Sequence, residues 1–192
     1  MADNTNDVLM KVLDKGTTFP AENRTNFTTA ADALAAGFTA GCFFELQSFG
    51  YSVGSAMALS KKAETSPASD AGAPATSAGK VKSDFVDIQP VSFTRTFDIA
   101  SIAMFKALVA SQTLDCVTVV KRKAAGAKSA GKIFLRIDFN KVLLTDLKWA
   151  EEGETVLETG SFIYREMAIQ YRPQREDGSL GAVIPASWKM PS

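Results

Sequence analysis

The sequence predicts a mainly β fold, a barrel or sandwich of short strands with one α-helix, and three observations point to it. Short runs rich in β-branched and aromatic residues recur along the chain between glycine-rich or charged turns, the spacing of a barrel or sandwich. In one run Ile133, Leu135, Ile137 and Phe139 alternate with Phe134, Arg136 and Asp138, the period-two pattern of a sheet buried on one face. Only 99–110 combines a helix start with apolar residues at helical spacing over three turns. At 192 residues, 46% hydrophobic and 22% charged, the chain is expected to be one soluble domain, 1–192, whose core needs neither a disulfide framework nor a structural metal.

In chain order, Val8 to Leu13 is a short apolar strand ended by the turn Asp14-Lys15-Gly16. From Thr17 to Gly41 the composition shifts to Thr, Ala and Asn and reads as an insertion. Ala30, Ala31, Ala33, Leu34, Ala35 and Ala36 predict a short helix there, which Gly37 ends. Cys42 to Val53 reads as the second strand, with Gly41 at its start, Gly50 at a bulge and Gly54 at its end. Lys61 to Lys80 contains no apolar residue larger than Ala, so it has nothing to bury and is expected to be a mobile loop. It is either a bland linker or an extension that orders against a partner.

Phe85 to Arg95 is the third strand, and its Pro90 belongs at an edge or bulge because it has no amide to donate. Asp98 has the chemistry of a helix N-cap for 99–110. In that helix Ile99, Ile102, Met104, Phe105, Leu108 and Val109 spread over roughly 220° of the circumference, about twice the stripe that one sheet covers. Either loops cover the excess, or the helix packs on its own barrel and also touches another subunit. Leu114 to Lys123, Lys132 to Leu144, Thr155 to Tyr164 and Glu166 to Arg172 are further strands. The tail from Ser179 to Ser192 carries Trp188 but no periodicity, and is expected to lie over the surface.

Several function classes lack their residues. Lys plus Arg number 21 and Asp plus Glu number 21, so no long-range field draws the chain to nucleic acid or to an anionic membrane. With no histidine, and only Cys42 and Cys116, the common zinc sets and the His-based nucleophile sites cannot be assembled. No phosphate-binding glycine loop or nucleophile elbow occurs, and no catalytic residue, cofactor site or metal site is expected. The polar start of the chain lacks the pattern of a cleaved signal, so synthesis in the cytoplasm and any export by a signal-independent route are expected. The sequons at Asn23 and Asn26 are given no function.

Lys121, Arg122, Lys123, Lys128 and Lys132 form a basic cluster that reads as a solvated hairpin end. Glu151, Glu152, Glu154 and Glu158 form an acidic one that reads as an exposed turn. Their complementarity is what two matching surfaces on identical subunits require. A small enzyme or ligand-binding barrel would have to use strand carboxylates such as Asp138 or Glu166.

More specific are four stretches in order: GKVKSDFVDIQPVSFTRTFDIAS from Gly79, MFKALVASQTLDCVTVVKRKA, KIFLRIDFNKVLLTDLKW, and ETGSFIYREMAIQYRPQREDGS. With the D-x-x-S helix start at Asp98 and Ser101, and the Y-x-P-Q-x-x-D-G ending at Tyr171, Pro173, Gln174, Asp177 and Gly178, they resemble the Hcp family. These are the tube-forming proteins of bacterial type VI secretion systems, related in fold to phage tail-tube proteins. The resemblance covers roughly Gly79 to Trp188, and Val8 to Leu13 and Phe43 to Val53 match the family's first two strands.

The resemblance implies a small antiparallel β-barrel with one flanking α-helix, six copies closing into a ring, rings stacking into a tube, and contacts with sheath, baseplate and spike proteins. Effectors would ride in the lumen, with no nucleic-acid partner and no membrane insertion. Assembly-interface candidates are Lys61, Lys62, Lys80, Met104, Phe105, Leu108, Lys121, Lys123, Glu151 and Glu152. The alternatives are a tail-tube subunit of another phage-like particle and the small enzymatic or ligand-binding barrel. The 17–41 segment is longer than the family's usual connection and 61–80 is richer in Ala, Ser and Pro. The insertion would either decorate the outside, facing the sheath, or narrow the lumen.

Overall fold

A computed structural model describes residues 8–23, 33–55, 86–122, 132–176 and 179–190. The chain divides into two compact units, one running to Tyr51 and resuming at Pro90, the other spanning Ser52–Gln89. The described strands are β1 (Val8–Asp14), β2 (Thr17–Thr18), β3 (Phe44–Leu46), β4 (Ser48–Gly50), β5 (Val53–Ser55), β6 (Val86–Ile88), β7 (Val91–Thr96), β8 (Thr113–Arg122), β9 (Ile133–Glu152), β10 (Thr155–Ile163), β11 (Glu166–Tyr171) and β12 (Ile184–Lys189). One helix, α1 (Ile99–Val109), lies among them. In the smaller unit β5 and β6 form an antiparallel pair, Val53 opposite Ile88 and Ser55 opposite Val86. The 61–80 stretch, with Lys61, Lys62 and Lys80, lies outside the described residues.

The larger unit is one antiparallel sheet whose main path runs β2-β1-β8-β9-β10-β7-β4, with β3 on β1, β11 on β9 and β12 on β11. The path of ladders is open, and its two ends are joined by the chain itself. Met10 pairs with Phe44 on β3, Ser48 pairs with Thr94 on β7, and between them the Gln47 amide donates to Thr94 O at 2.8 Å. The expected second strand is thus three pieces. One break falls at Gln47, where the run passes from the edge at β1 to the edge at β7, and the other at Tyr51 and Ser52, directly after Gly50. Gly54 sits inside β5 rather than at the end of a strand.

β9 continues eight residues beyond its expected end at Leu144, because β10 pairs with it as far as Glu152 opposite Thr155. β11 pairs with the first part of the same strand, from Leu135 opposite Tyr171 to Asn140 opposite Glu166. Buried positions pass from Ile137 and Phe139 to Val142 and Leu144, so the inward phase changes across Lys141, whose φ is +56°. A non-glycine residue in that region is uncommon, and here it lets one strand present its apolar side to the same core on both sides of the step.

Pro90 stands between β6 and β7 rather than at an edge or bulge of one strand, so the strand expected from Phe85 to Arg95 is two. The tail departs from expectation: β12 pairs with β11 along its whole length, Trp188 opposite Met167. Its residues are mostly exposed on both faces, so no alternation marked it as a strand.

Part of the 17–41 segment belongs to the core. Its described helix is a single 3₁₀ turn, Ala33–Ala35, followed by Gly37 at φ +80°; 24–32 lie outside the described residues. Leu34, Ala35 and Phe38 are buried with Leu9, Phe43, Val120 and Ile133 in one cluster, and Leu9 and Val120 are direct partners across β1 and β8. Arg136 Nη1 on β9 donates to Leu34 O and Ala36 O, both at 3.2 Å. The segment covers an apolar sheet face that would otherwise meet water.

Candidate assembly surface

α1 starts as the sequence expects. Asp98 Oδ1 accepts from the Ala100 amide at 2.8 Å and the Ser101 hydroxyl accepts from the Asp98 amide at 3.2 Å, a capping box. The helix ends where Ser111 takes φ +48° and the Gln112 amide donates to Ala107 O at 2.9 Å. Its buried residues are Ala100, Ser101, Met104 and Ala107. At 100° per residue these occupy one arc of about 120°, while Ile99, Ile102, Phe105 and Val109 occupy another on the opposite side. The second arc faces outward, Val109 being 69% and Phe105 44% exposed. The sequence's excess of apolar helix surface is therefore not covered by loops among the described residues.

Trp149 on β9 extends this face. Its ring lies 5.7 Å from Phe105 and 5.6 Å from Phe97, edge-on to the latter, and it is 46% exposed. Val156, also exposed, is tied to the same place by the Phe97 amide, which donates to Val156 O at 2.8 Å. Beneath the face runs a row of cross-strand partners: Arg95 on β7 opposite Glu158 on β10, and Glu158 opposite Trp149 on β9. Arg95 and Glu158 are both fully buried. Arg95 Nε donates to Glu158 Oε1, Nη1 to Asp98 Oδ1 and Nη2 to Ser101 Oγ, each at 2.7 Å, and the guanidinium lies 4.2 Å from the Phe44 ring. Glu158 Oε2 accepts from Trp149 Nε1 at 2.9 Å.

The expected interface residues separate under this geometry. Phe105 lies on the exposed stripe and Leu108 is half-buried beside it, but Met104 is fully buried and belongs to the core, a correction that follows from its place among Ala100, Ser101 and Ala107. Lys121 is exposed at the Leu135 rung of β9, whereas Glu151 and Glu152 are exposed at the Val156 and Thr155 rungs, the far end of the same strand. Lys123 lies outside the described residues. Two members of the charged clusters are misplaced by the sequence reading: Arg122 is buried, and Glu158 is the buried partner of Arg95 rather than part of a turn.

The strand carboxylates are engaged elsewhere. Asp138 accepts from Arg136 Nε and Nη2, at 2.8 and 2.9 Å, and from Thr118 Oγ1 at 2.7 Å, while Glu166 pairs with Lys189 at 3.0 Å. Near the face covered by 17–41, burial lowers the Lys11 pKa and raises that of Cys116. Hydrogen bonds from Thr18 and Thr39 lower the pKa of the Cys42 thiol. Burial also raises the Tyr164 phenol.

A β-rich framework that carries an outward apolar helix face, stiffened from beneath by a buried ion pair, defines a building block of a larger assembly. Residues 54–171 match the family described as type VI secretion system effector, Hcp. The chain belongs to that family, and it is a subunit of the type VI secretion tube, which assembles with itself. Solved structures share the fold. One described as a type six secretion system protein is 19% identical, with TM-score 0.68 over 96% of this chain and 95% of its own. Hcp1 from E. coli EAEC 042, in mutant form, is 14% identical, with TM-score 0.63 over 96% of this chain and 98% of its own. The secreted protein Hcp3 from Pseudomonas aeruginosa is 16% identical, with TM-score 0.57 over 96% and 98%. None of the curated proteins matches the chain.

Proposed function

We propose that six copies close into a ring through the α1 face and that rings stack into the tube, whose lumen carries effectors. The observation that supports this reading is the outward stripe of Ile99, Ile102, Phe105 and Val109 beside Trp149, an apolar face with no cover among the described residues. Phe105 and Leu108 are its contact residues. Lys121 at one end of the sheet, with Lys123 two residues on in the sequence, and Glu151 and Glu152 at the other end supply opposite charges for a heterologous, head-to-tail contact, which generates a ring where its rotation closes. Lys61, Lys62 and Lys80, on the extension, are contacts to a neighbouring subunit or ring. The role is mechanical rather than enzymatic, the partners beyond itself are sheath, baseplate and spike proteins, and export follows the machine rather than a cleaved signal.

Light scattering with negative-stain class averages tests the ring. Particles of about 120 kDa, six times the 20.5 kDa chain, with an open centre are expected. Phe105→Asp places a charge on the face and is expected to dissolve them while leaving a cooperative melt. A monomer across a wide concentration range, in the parent protein, would refute the ring.

A further inference from the structure

Trp149 is half-exposed, yet its indole is not free to turn. Its Nε1–H is held by Glu158 Oε2 at 2.9 Å, and its ring is flanked by Phe97 and Phe105. The other oxygen of Glu158 is held by Arg95, whose Nη1 and Nη2 donate to Asp98 and Ser101 at the start of α1. One fully buried ion pair therefore fixes both the anchor ring on β9 and the first turn of the helix that carries the apolar stripe. A buried ion pair is poorly explained by stability, since apolar side chains of similar volume hold a core as well or better. Its distinctive product is geometry: each of the three guanidinium nitrogens donates to a named partner, and the most exposed group of the network is the indole.

We infer that Arg95 and Glu158 are positioning residues that pre-set Trp149 as the anchor of the contact between copies of this chain, an inference that rests on the reading of the α1 face as that contact. The occupant is a second copy because a tube subunit assembles with itself and because the patch, a tryptophan among Ile102, Phe105 and Val109, has the composition of a binding hot spot. An anchor already held in its bound orientation loses less freedom on docking than a loose one.

The test uses the full chain in a Trp188→Phe background, so that fluorescence reports Trp149 alone. Trp149→Phe keeps an aromatic ring but removes the N–H together with the five-membered ring, so it tests the anchor itself. Glu158→Gln keeps the volume and turns an amide donor toward the indole. Glu158→Gln is expected to raise the concentration for half-assembly about tenfold, the ordering that a freed indole must then lose on docking, and Trp149→Phe, which also loses anchor area, by at least as much. Below the assembly concentration, Glu158→Gln is also expected to red-shift Trp149 emission and lower its anisotropy, a change that a purely structural role would not produce. Val109→Asp, on the stripe but remote from the ion pair, separates the two readings. If it weakens assembly while Trp149→Phe and Glu158→Gln assemble within twofold of the parent, the positioning role is wrong and the contact face stands. If Val109→Asp also assembles normally, the face belongs to another partner and both readings fall. Should Glu158→Gln fail to fold, Trp149→Phe with an unchanged melting midpoint decides alone.

Discussion

Replacing Phe38 by Ala tests whether the 17–41 segment is part of the core. The ring is buried among Leu9, Leu34, Phe43, Val120 and Ile133, lies 5.6 Å from the Phe43 ring, and has the Lys11 ammonium 5.5 Å above it. Returning a buried Phe side chain to water costs about 2–3 kcal/mol, and the cavity left behind brings the total for Phe→Ala to roughly 3–5 kcal/mol. The upper half of that range applies, because the neighbours come from β1, β8, β9 and the segment itself and cannot all move inward together. For a chain of this size each kcal/mol moves the melting midpoint by about 2–4 °C, so a drop of about 10 °C or more is expected. Thermal and urea unfolding of the variant, followed by circular dichroism, provide the measurement. A loss below about 1 kcal/mol would show that the segment is decoration after all and that its burial contributes nothing to the fold.

Gly160 on β10 lies opposite Phe93 and Leu147, and a Cβ there would overlap the Phe93 ring and sit 2.9 Å from Leu147 Cδ2. Gly160→Ala is therefore expected to cost about 1–3 kcal/mol by overpacking in urea melts, and a neutral result would mean that the β7–β10 packing is looser than described. Arg95→Met leaves the Glu158 carboxylate buried without its cation and is expected to cost about 3–5 kcal/mol, whereas Arg95→Met with Glu158→Met should recover most of the loss. Additive losses in that double-mutant cycle would contradict a direct pair. Thiol labelling against pH should show Cys42 reacting from a lower pH than an ordinary cysteine and Cys116 only at a higher one, because hydrogen bonds stabilise the first thiolate and burial disfavours the second. Thr18→Val, which removes the hydroxyl 3.5 Å from Cys42 Sγ, should shift the Cys42 profile to higher pH, and an unshifted profile would exclude that hydrogen bond as the cause.

Why the ion pair escaped the sequence reading is instructive. Arg95 stands in phase with Val91 and Phe93 on one strand, and Glu158 in phase with Phe162 on another, so each is a charge at an inward position. Alternation marks such a position, but only the pairing of β7 with β10 shows that the two charges are opposite each other. Without that partner Glu158 looked like one more member of the acidic run that begins at Glu151. Trp149 drew no attention for the same reason, since nothing local says that its indole meets a carboxylate.

Local chemistry was sufficient wherever neighbouring residues decide the outcome. The Asp98 and Ser101 capping box, the alternation from Ile133 to Phe139 and the surplus of apolar surface on α1 all follow from short-range geometry, and each was legible in the sequence. Long-range pairing decided the rest. β12 exists because β11 offers it an edge, the break at Gln47 exists because one run must serve β1 and β7, and Met104 is core while Phe105 is surface because of where the sheet lies beneath the helix. The 17–41 segment makes the same point in reverse: its Thr, Ala and Asn composition reads as an insertion, yet Leu34 and Phe38 join the core because the sheet leaves Leu9 and Val120 facing them. Periodicity fixes which side of an element is apolar, and only the assembled sheet fixes what that side meets.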